Sequence, residues 1–137
     1  MSETDNSLNE IRESIKDINR LCELVHNDNV DRGFYDTKRE TGTLLMLVVS
    51  ELAEALEADR KNRRAQPAEY RKAVTSGAME EREAFETYIK NSFEDEIADT
   101  FIRLFDLCGY MDIDILTHIV EKLEYNRGRG YKHGKLY

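Results

Sequence analysis

The sequence predicts an all-α fold, and two observations carry that expectation. Charged residues make up 35% of the chain and its only proline is Pro67, with seven glycines, which leaves few of the breaks that an all-β fold needs. Apolar residues recur at steps of three and four along several segments, the period of a helix face. At 137 residues there is room for one domain with its own core, so residues 1–137 are expected to form a single domain of four main helices.

The first helix is predicted over residues 8–26. Leu8, Ile11, Ile15, Ile18, Cys22 and Val25 form its apolar face, and Ser7 with Glu10 makes a capping box at its start. Glu23 and His26 form a Glu-x-x-His, half of the ligand set of a ferritin-like di-iron bundle; such a site needs two of these motifs, and the chain has one. A polar connector over 27–36 follows, with Gly33, Phe34 and Tyr35. Two readings of it stand: the aromatics dock on the core, or Phe34 or Tyr35 stacks on a base.

The second helix is predicted over 38–60. Its middle, Leu44 to Val49, is apolar all the way round, which implies burial on several sides. Glu51 and Glu54 follow at once, with Glu57 continuing the spacing as a fifth carboxylate nearer the exposed end. Residues 61–79 read as an insertion holding Pro67 and Gly77, with a short helix around 68–74. Arg60, Lys61, Arg63 and Arg64 either face the dipole of the preceding helix end or form a basic rim over substrate phosphates.

The third helix is predicted from about Met79 to Cys108 with a break near Asn91 and Ser92. Ile97, Phe101, Leu104, Phe105 and Cys108 make its buried stripe, and Glu96, Asp99, Arg103 and Asp106 a charged stripe alongside. The fourth helix opens at Asp112 or Asp114 and carries Ile115, Leu116, Ile119, Val120 and Leu123 inward. His118, Lys122 and Asn126 share a second face. The chain closes in RGRGYKHGKLY, a cationic segment on an acidic protein, which is either a solvated helix end or a phosphate-binding surface.

Two carboxylate couples stand out. Glu51 with Glu54, and Glu96 with Asp99, have i, i+3 spacing, which puts each couple on one helix face. Acids held beside strongly apolar segments are costly unless a cation neutralises them, and hard carboxylate oxygens suit Mg²⁺. The spacing alone is common here: Glu10 with Glu13, Glu80 with Glu83, and Glu121 with Glu124 share it, as solvated faces of an acidic helical chain do. Position beside the apolar segments singles out the first two couples.

Composition excludes other classes. A formal net charge of −8 argues against a nucleic-acid coat, which needs a positive phosphate-facing surface. Cys22 and Cys108 sit far apart in apolar helical patterns and read as reduced core residues of a cytoplasmic protein. The first residues lack the basic-then-apolar layout of a signal peptide. The longest apolar run is far too short to span a bilayer.

From about Gly33 onwards the sequence resembles the MazG-like, all-α nucleoside triphosphate pyrophosphohydrolases of phage and bacterial type. LMLVVSELAEALEADR, FEDEIADTFIRLFDL and EKLEYNRGRGYKHGKLY carry the likeness. The family pattern is Glu-x-x-Glu, then Glu-x-x-Asp, then a lysine followed by an asparagine or arginine; Glu51 and Glu54, Glu96 and Asp99, and Lys122 and Asn126 match it in order. The stretch between Glu54 and Glu96 is longer than in the compact members.

The resemblance implies an antiparallel four-helix-bundle-like fold with an insertion between the acidic helices. It also implies hydrolysis of a nucleoside triphosphate to the monophosphate and pyrophosphate. Glu51, Glu54, Glu96 and Asp99 would hold Mg²⁺ or Mn²⁺, and Glu54 would also orient or deprotonate the attacking water. Lys122 and Arg129 would neutralise phosphates, Asn126 would donate to phosphate or sugar, and Tyr125 and Phe34 would complete the substrate site. A homodimer or homotetramer is implied as well, with no nucleic-acid polymer or membrane as partner. The rival reading is a non-catalytic helical adaptor whose acids are a solvated face.

Overall fold

The computed structural model describes residues 3–129. These form seven α-helices and no strand: α1 Glu3–Ser14, α2 Ile18–Asp31, α3 Thr41–Arg60, α4 Pro67–Thr75, α5 Glu81–Tyr88, α6 Phe93–Tyr110 and α7 Ile115–Arg127. The fold class is all-α, as composition and period predict. No helix among the described residues is long and apolar enough to cross a membrane. The chain divides into two compact units: one holds residues up to Phe34 together with those from Phe105 on, the other Tyr35–Leu104.

The first predicted helix is in fact two. At residues 15–17 the ladder gives way to a turn in which the Ile18 N–H donates to Ile15 O at 2.9 Å. Ser14 supplies a reason, because its hydroxyl donates to Glu10 O at 2.7 Å, and this back-bonding offers the backbone an alternative to the helix. In this unit α7 packs on α1 and α2, with Leu8, Cys22, Leu107, Cys108 and Val120 buried. Asp114, one of the two predicted caps, accepts from the Thr117 N–H at 3.2 Å and from the Thr117 hydroxyl at 2.7 Å. Asn19 adds a tie from α2, donating to Asp114 at 2.8 Å and accepting from the Leu116 N–H at 3.2 Å.

The second unit is built on α3. Leu44, Val48, Glu51, Ala55 and Ala58 are its buried residues, spaced at steps of three and four. The predicted burial on several sides does not occur within the single chain: Leu45, Met46, Val49, Leu52 and Leu56 are all exposed. The 61–90 region folds as α4 and α5 packed together, around buried Ala73 and Ala84 and an edge-to-face Tyr70–Phe85 pair with ring centroids 6.3 Å apart. Backbone bonds tie it down. Gln66 N–H donates to Tyr88 O at 2.9 Å, Phe93 N–H to Arg63 O at 3.0 Å, and Ala65 N–H to the Glu94 carboxylate at 2.8 Å.

The predicted break near Asn91 is present, with Asn91 in the left-handed region at φ 61°, a conformation that asparagine tolerates better than most residues. Ser92 then caps α6, accepting from the Asp95 N–H at 3.2 Å, while the Asp95 carboxylate reaches back to the Asn91 N–H at 2.8 Å. Within this unit the inward face of α6 is polar. Ser92, Glu96 and Thr100 are buried, whereas Phe101 and Leu104, expected in the buried stripe, are exposed.

Candidate metal centre

Helix α3 brings Glu51, and α6 brings Glu96 and Asp99, to one point in the 35–104 unit. One carboxylate oxygen from each lies within 4.8 Å of the others. Glu51 is 6% exposed and Glu96 5%, so two of the three acids are in surroundings that disfavour charge. Burial, followed by the charges of Glu54, Asp95, Glu51 and Asp99, pushes the Glu96 carboxyl up to about 7. Asp99 is also raised, first by burial and then by Asp95 and Glu51, with Arg103 opposing.

The Arg103 guanidinium donates from Nε to Glu51. Among the described residues, Arg103 is the cation paired at this cluster, and its ion pair goes to Glu51. The carboxylate oxygens are the hard ligands a divalent cation such as Mg²⁺ or Mn²⁺ takes, with waters completing the shell, so the donor set fits that group. Sequence spacing placed Arg103 in a charged stripe but gave no sign of its pairing with Glu51. The one available signal is its position, four residues after Asp99 and so one turn along the same face.

Glu54 stands apart from this cluster. It is exposed and does not belong to the group whose oxygens converge, although its charge is the second cause of the Glu96 shift. Three of the four predicted ligands are thus brought together, with Glu54 at their margin. Glu57 pairs with Lys61 at 2.7 Å, and that hydrogen bond and charge hold its carboxyl below the usual range. Its solvent-side pairing makes it a helix-end acid.

The predicted substrate residues lie in the other unit. On α7, Lys122 Nζ sits 4.9 Å from the Tyr125 ring centroid and the Arg129 guanidinium 5.8 Å from the same centroid, so one exposed aromatic gathers two cations. Asn126 is half-buried on the same helix. Phe34, just after α2, is exposed. Lys132, His133 and Lys135 of the cationic close lie outside the described residues. The half di-iron motif does not assemble: His26 Nδ1 pairs with Asp106 at 2.9 Å, and Glu23 with Arg20 at 2.9 Å.

No protein-family model matches the chain, and neither does any curated protein or solved structure.

Proposed function

We propose that this protein is a Mg²⁺-dependent nucleoside triphosphate pyrophosphohydrolase with a MazG-like, four-helix-bundle-derived fold, releasing a nucleoside monophosphate and pyrophosphate. The observation that carries the reading is the convergence of Glu51, Glu96 and Asp99, the first two buried and the third half-buried, with the Glu96 and Asp99 carboxyls raised first by burial and then by neighbouring carboxylates. A solvated acidic face, the adaptor reading, would leave such acids exposed and ordinary.

Glu51, Glu96 and Asp99 are the residues that hold the metal, Mg²⁺ or Mn²⁺. Once bound there, it supplies positive charge to phosphate oxygens as negative charge develops on them. Glu54, exposed beside the triad, is free of that duty and is assigned to the attacking water, which it orients and whose proton it accepts. Arg103 holds Glu51 in place and limits the negative charge of the site. Lys122 and Arg129, gathered by Tyr125, are assigned to phosphate oxygens and Asn126 to a phosphate or sugar hydrogen bond. Buried, unoxidised Cys22 and Cys108 suit a reducing, cytoplasmic setting.

Pyrophosphate release from common and deoxy nucleoside triphosphates with Mg²⁺ tests the assignment. Turnover is expected in the wild type. Glu51→Gln and Asp99→Asn are expected to lose Mg²⁺ binding and turnover together, whereas Glu54→Gln keeps Mg²⁺ binding and loses turnover by roughly 10²-fold or more. No release from any nucleotide, with Mg²⁺ binding unaltered in Glu51→Gln and Asp99→Asn, would leave the adaptor reading standing.

A further inference from the structure

The 61–90 region, longer than the proposed chemistry requires, builds one wall of a cavity whose opposite wall is α6. It encloses about 620 Å³, within the range of small-molecule sites. Pro67 of α4, Phe85 of α5, Ile89, and Ala98 and Ile102 of α6 make its surface predominantly apolar. Asp99 also lines it, and Asp99 is a member of the carboxylate triad. The cavity and the candidate metal centre therefore share a residue.

The polar groups at this cavity are of one kind. Glu94, Asp95 and Asp99 line it, while Arg64, paired with Asp59 and stacked over Phe93 at 4.4 Å from the ring centroid, is not among its lining residues. The Ala65 N–H occupies one oxygen of Glu94, and the Asn91 N–H one oxygen of Asp95, so each carboxylate is fixed in place with a second oxygen remaining as an acceptor. Apolar walls suit a flat aromatic body, and carboxylate oxygens at its edge are matched by N–H donors.

We infer that this cavity is the nucleobase pocket of the enzyme and that it takes bases bearing an exocyclic amino group, namely adenine, guanine or cytosine, in preference to thymine or uracil. The inference rests on the proposed metal–phosphate site, because it is the shared Asp99 that joins a base in the cavity to phosphates at the triad. Thymine and uracil offer a single ring N–H flanked by two carbonyl oxygens, which would be set against the carboxylate oxygens, whereas an exocyclic amino group adds a donor there.

Equilibrium binding with Mg²⁺ separates the two ideas when α,β-methylene nucleoside triphosphates, which resist cleavage, are compared with inorganic tripolyphosphate. The wild type is expected to bind the adenine, guanine or cytosine analogues about tenfold or more tighter than tripolyphosphate, the usual worth of a stacked base, and tighter than the thymine analogue. Ala98→Trp, which fills the cavity from an exposed helix position, is expected to reduce nucleotide affinity to the tripolyphosphate level while tripolyphosphate binding is unchanged. Ile102→Ser, also at an exposed position, is expected to move nucleotide affinity in the same direction. If the wild type binds tripolyphosphate but nucleotides no better, if both variants leave nucleotide affinity intact or reduce both ligands alike, or if thymine is preferred, the base pocket is overturned. Binding of neither ligand would overturn the metal–phosphate reading and the pocket with it.

Discussion

Glu96 has an ordinary neighbour in Glu94, two positions away on the same helix, yet Glu94 is held low by the Ala65 N–H while Glu96 is pushed up to about 7. Burial and four neighbouring carboxylates make the difference. The consequence for stability has a definite sign. A carboxyl whose folded-state value lies above its unfolded value binds its proton more tightly when folded, so its contribution is fully present below about 4.5 and is lost as pH rises towards about 7. Thermal melts of metal-free protein between pH 4.5 and 8 are therefore expected to show stability falling across that window from Glu96, with a shallower slope in Glu96→Gln. Mg²⁺ affinity runs the other way and rises through about 7, since the ligand must lose its proton to bind. An unchanged slope in Glu96→Gln would mean that other groups set the pH response.

The acid couples were legible in the sequence as a pattern, but the separate fates of Glu51 and Glu54 were not. Three positions along a helix turn roughly 60° around its axis, enough to put Glu51 inside and Glu54 at the margin, and spacing alone does not say which. The Arg103–Glu51 pair joins residues 52 positions apart, and local sequence shows only that Arg103 lies one turn beyond Asp99, not which acid it pairs with.

At the scale of elements, the fourth predicted helix and the break before α6 were readable because Asp114, Asn91 and Ser92 carry local chemistry that specifies a helix start or stop. The stretch apolar all round in α3 named no inward face, so the period that usually settles register was missing there. On α6 the apolar and polar stripes competed, and the polar one turned inward. Thr100 meets burial by donating its hydroxyl to Glu96 O at 2.8 Å, and Ser92 by capping. A more exacting fit occurs at Gly109, where an added Cβ would lie 2.5 Å from Cys22 O and 2.6 Å from His26 Cβ. Both neighbours belong to α2, and one is backbone, so accommodation requires the two helices to part. Gly109→Ala is expected to lower stability by about 1–3 kcal/mol, seen as a drop of several degrees in melting temperature. Gly42→Ala, with nothing within 4 Å of the new Cβ, is expected to raise stability by up to about 1 kcal/mol, which makes it a control for the removal of a helical glycine.

At the scale of the whole molecule, the difficulty is how little apolar surface one chain hides. Among the described residues no large side chain is fully buried, while Leu45, Met46, Val49, Leu52 and Leu56 of α3 are exposed, Met46 at 61%. Leu45, Val49, Leu52 and Leu56 are spaced at four, three and four residues, which aligns them as one stripe along α3. A contiguous apolar stripe of this kind marks an interaction surface, and on a helix it is suited to self-complementary packing about a two-fold axis, where each copy offers the same face. Self-association through α3 would cover the stripe without involving the opposite face, on which Glu51 sits with Leu44 and Val48. Light scattering after gel filtration is expected to give a mass of two or four times 16.0 kDa. Leu52→Asp with Leu56→Asp is expected to lower it to that of a single chain, because each charge would otherwise be buried unpaired between copies. Mg²⁺ binding measured on the same samples then divides two arrangements: affinity retained in the single chain places all metal ligands on one copy, as the convergence of Glu51, Glu96 and Asp99 implies, while turnover lost with association intact only in the wild type assigns phosphate-binding groups to a second copy. A wild type that runs as a single 16.0 kDa chain at all concentrations would refute the interface and leave the α3 stripe to some other partner.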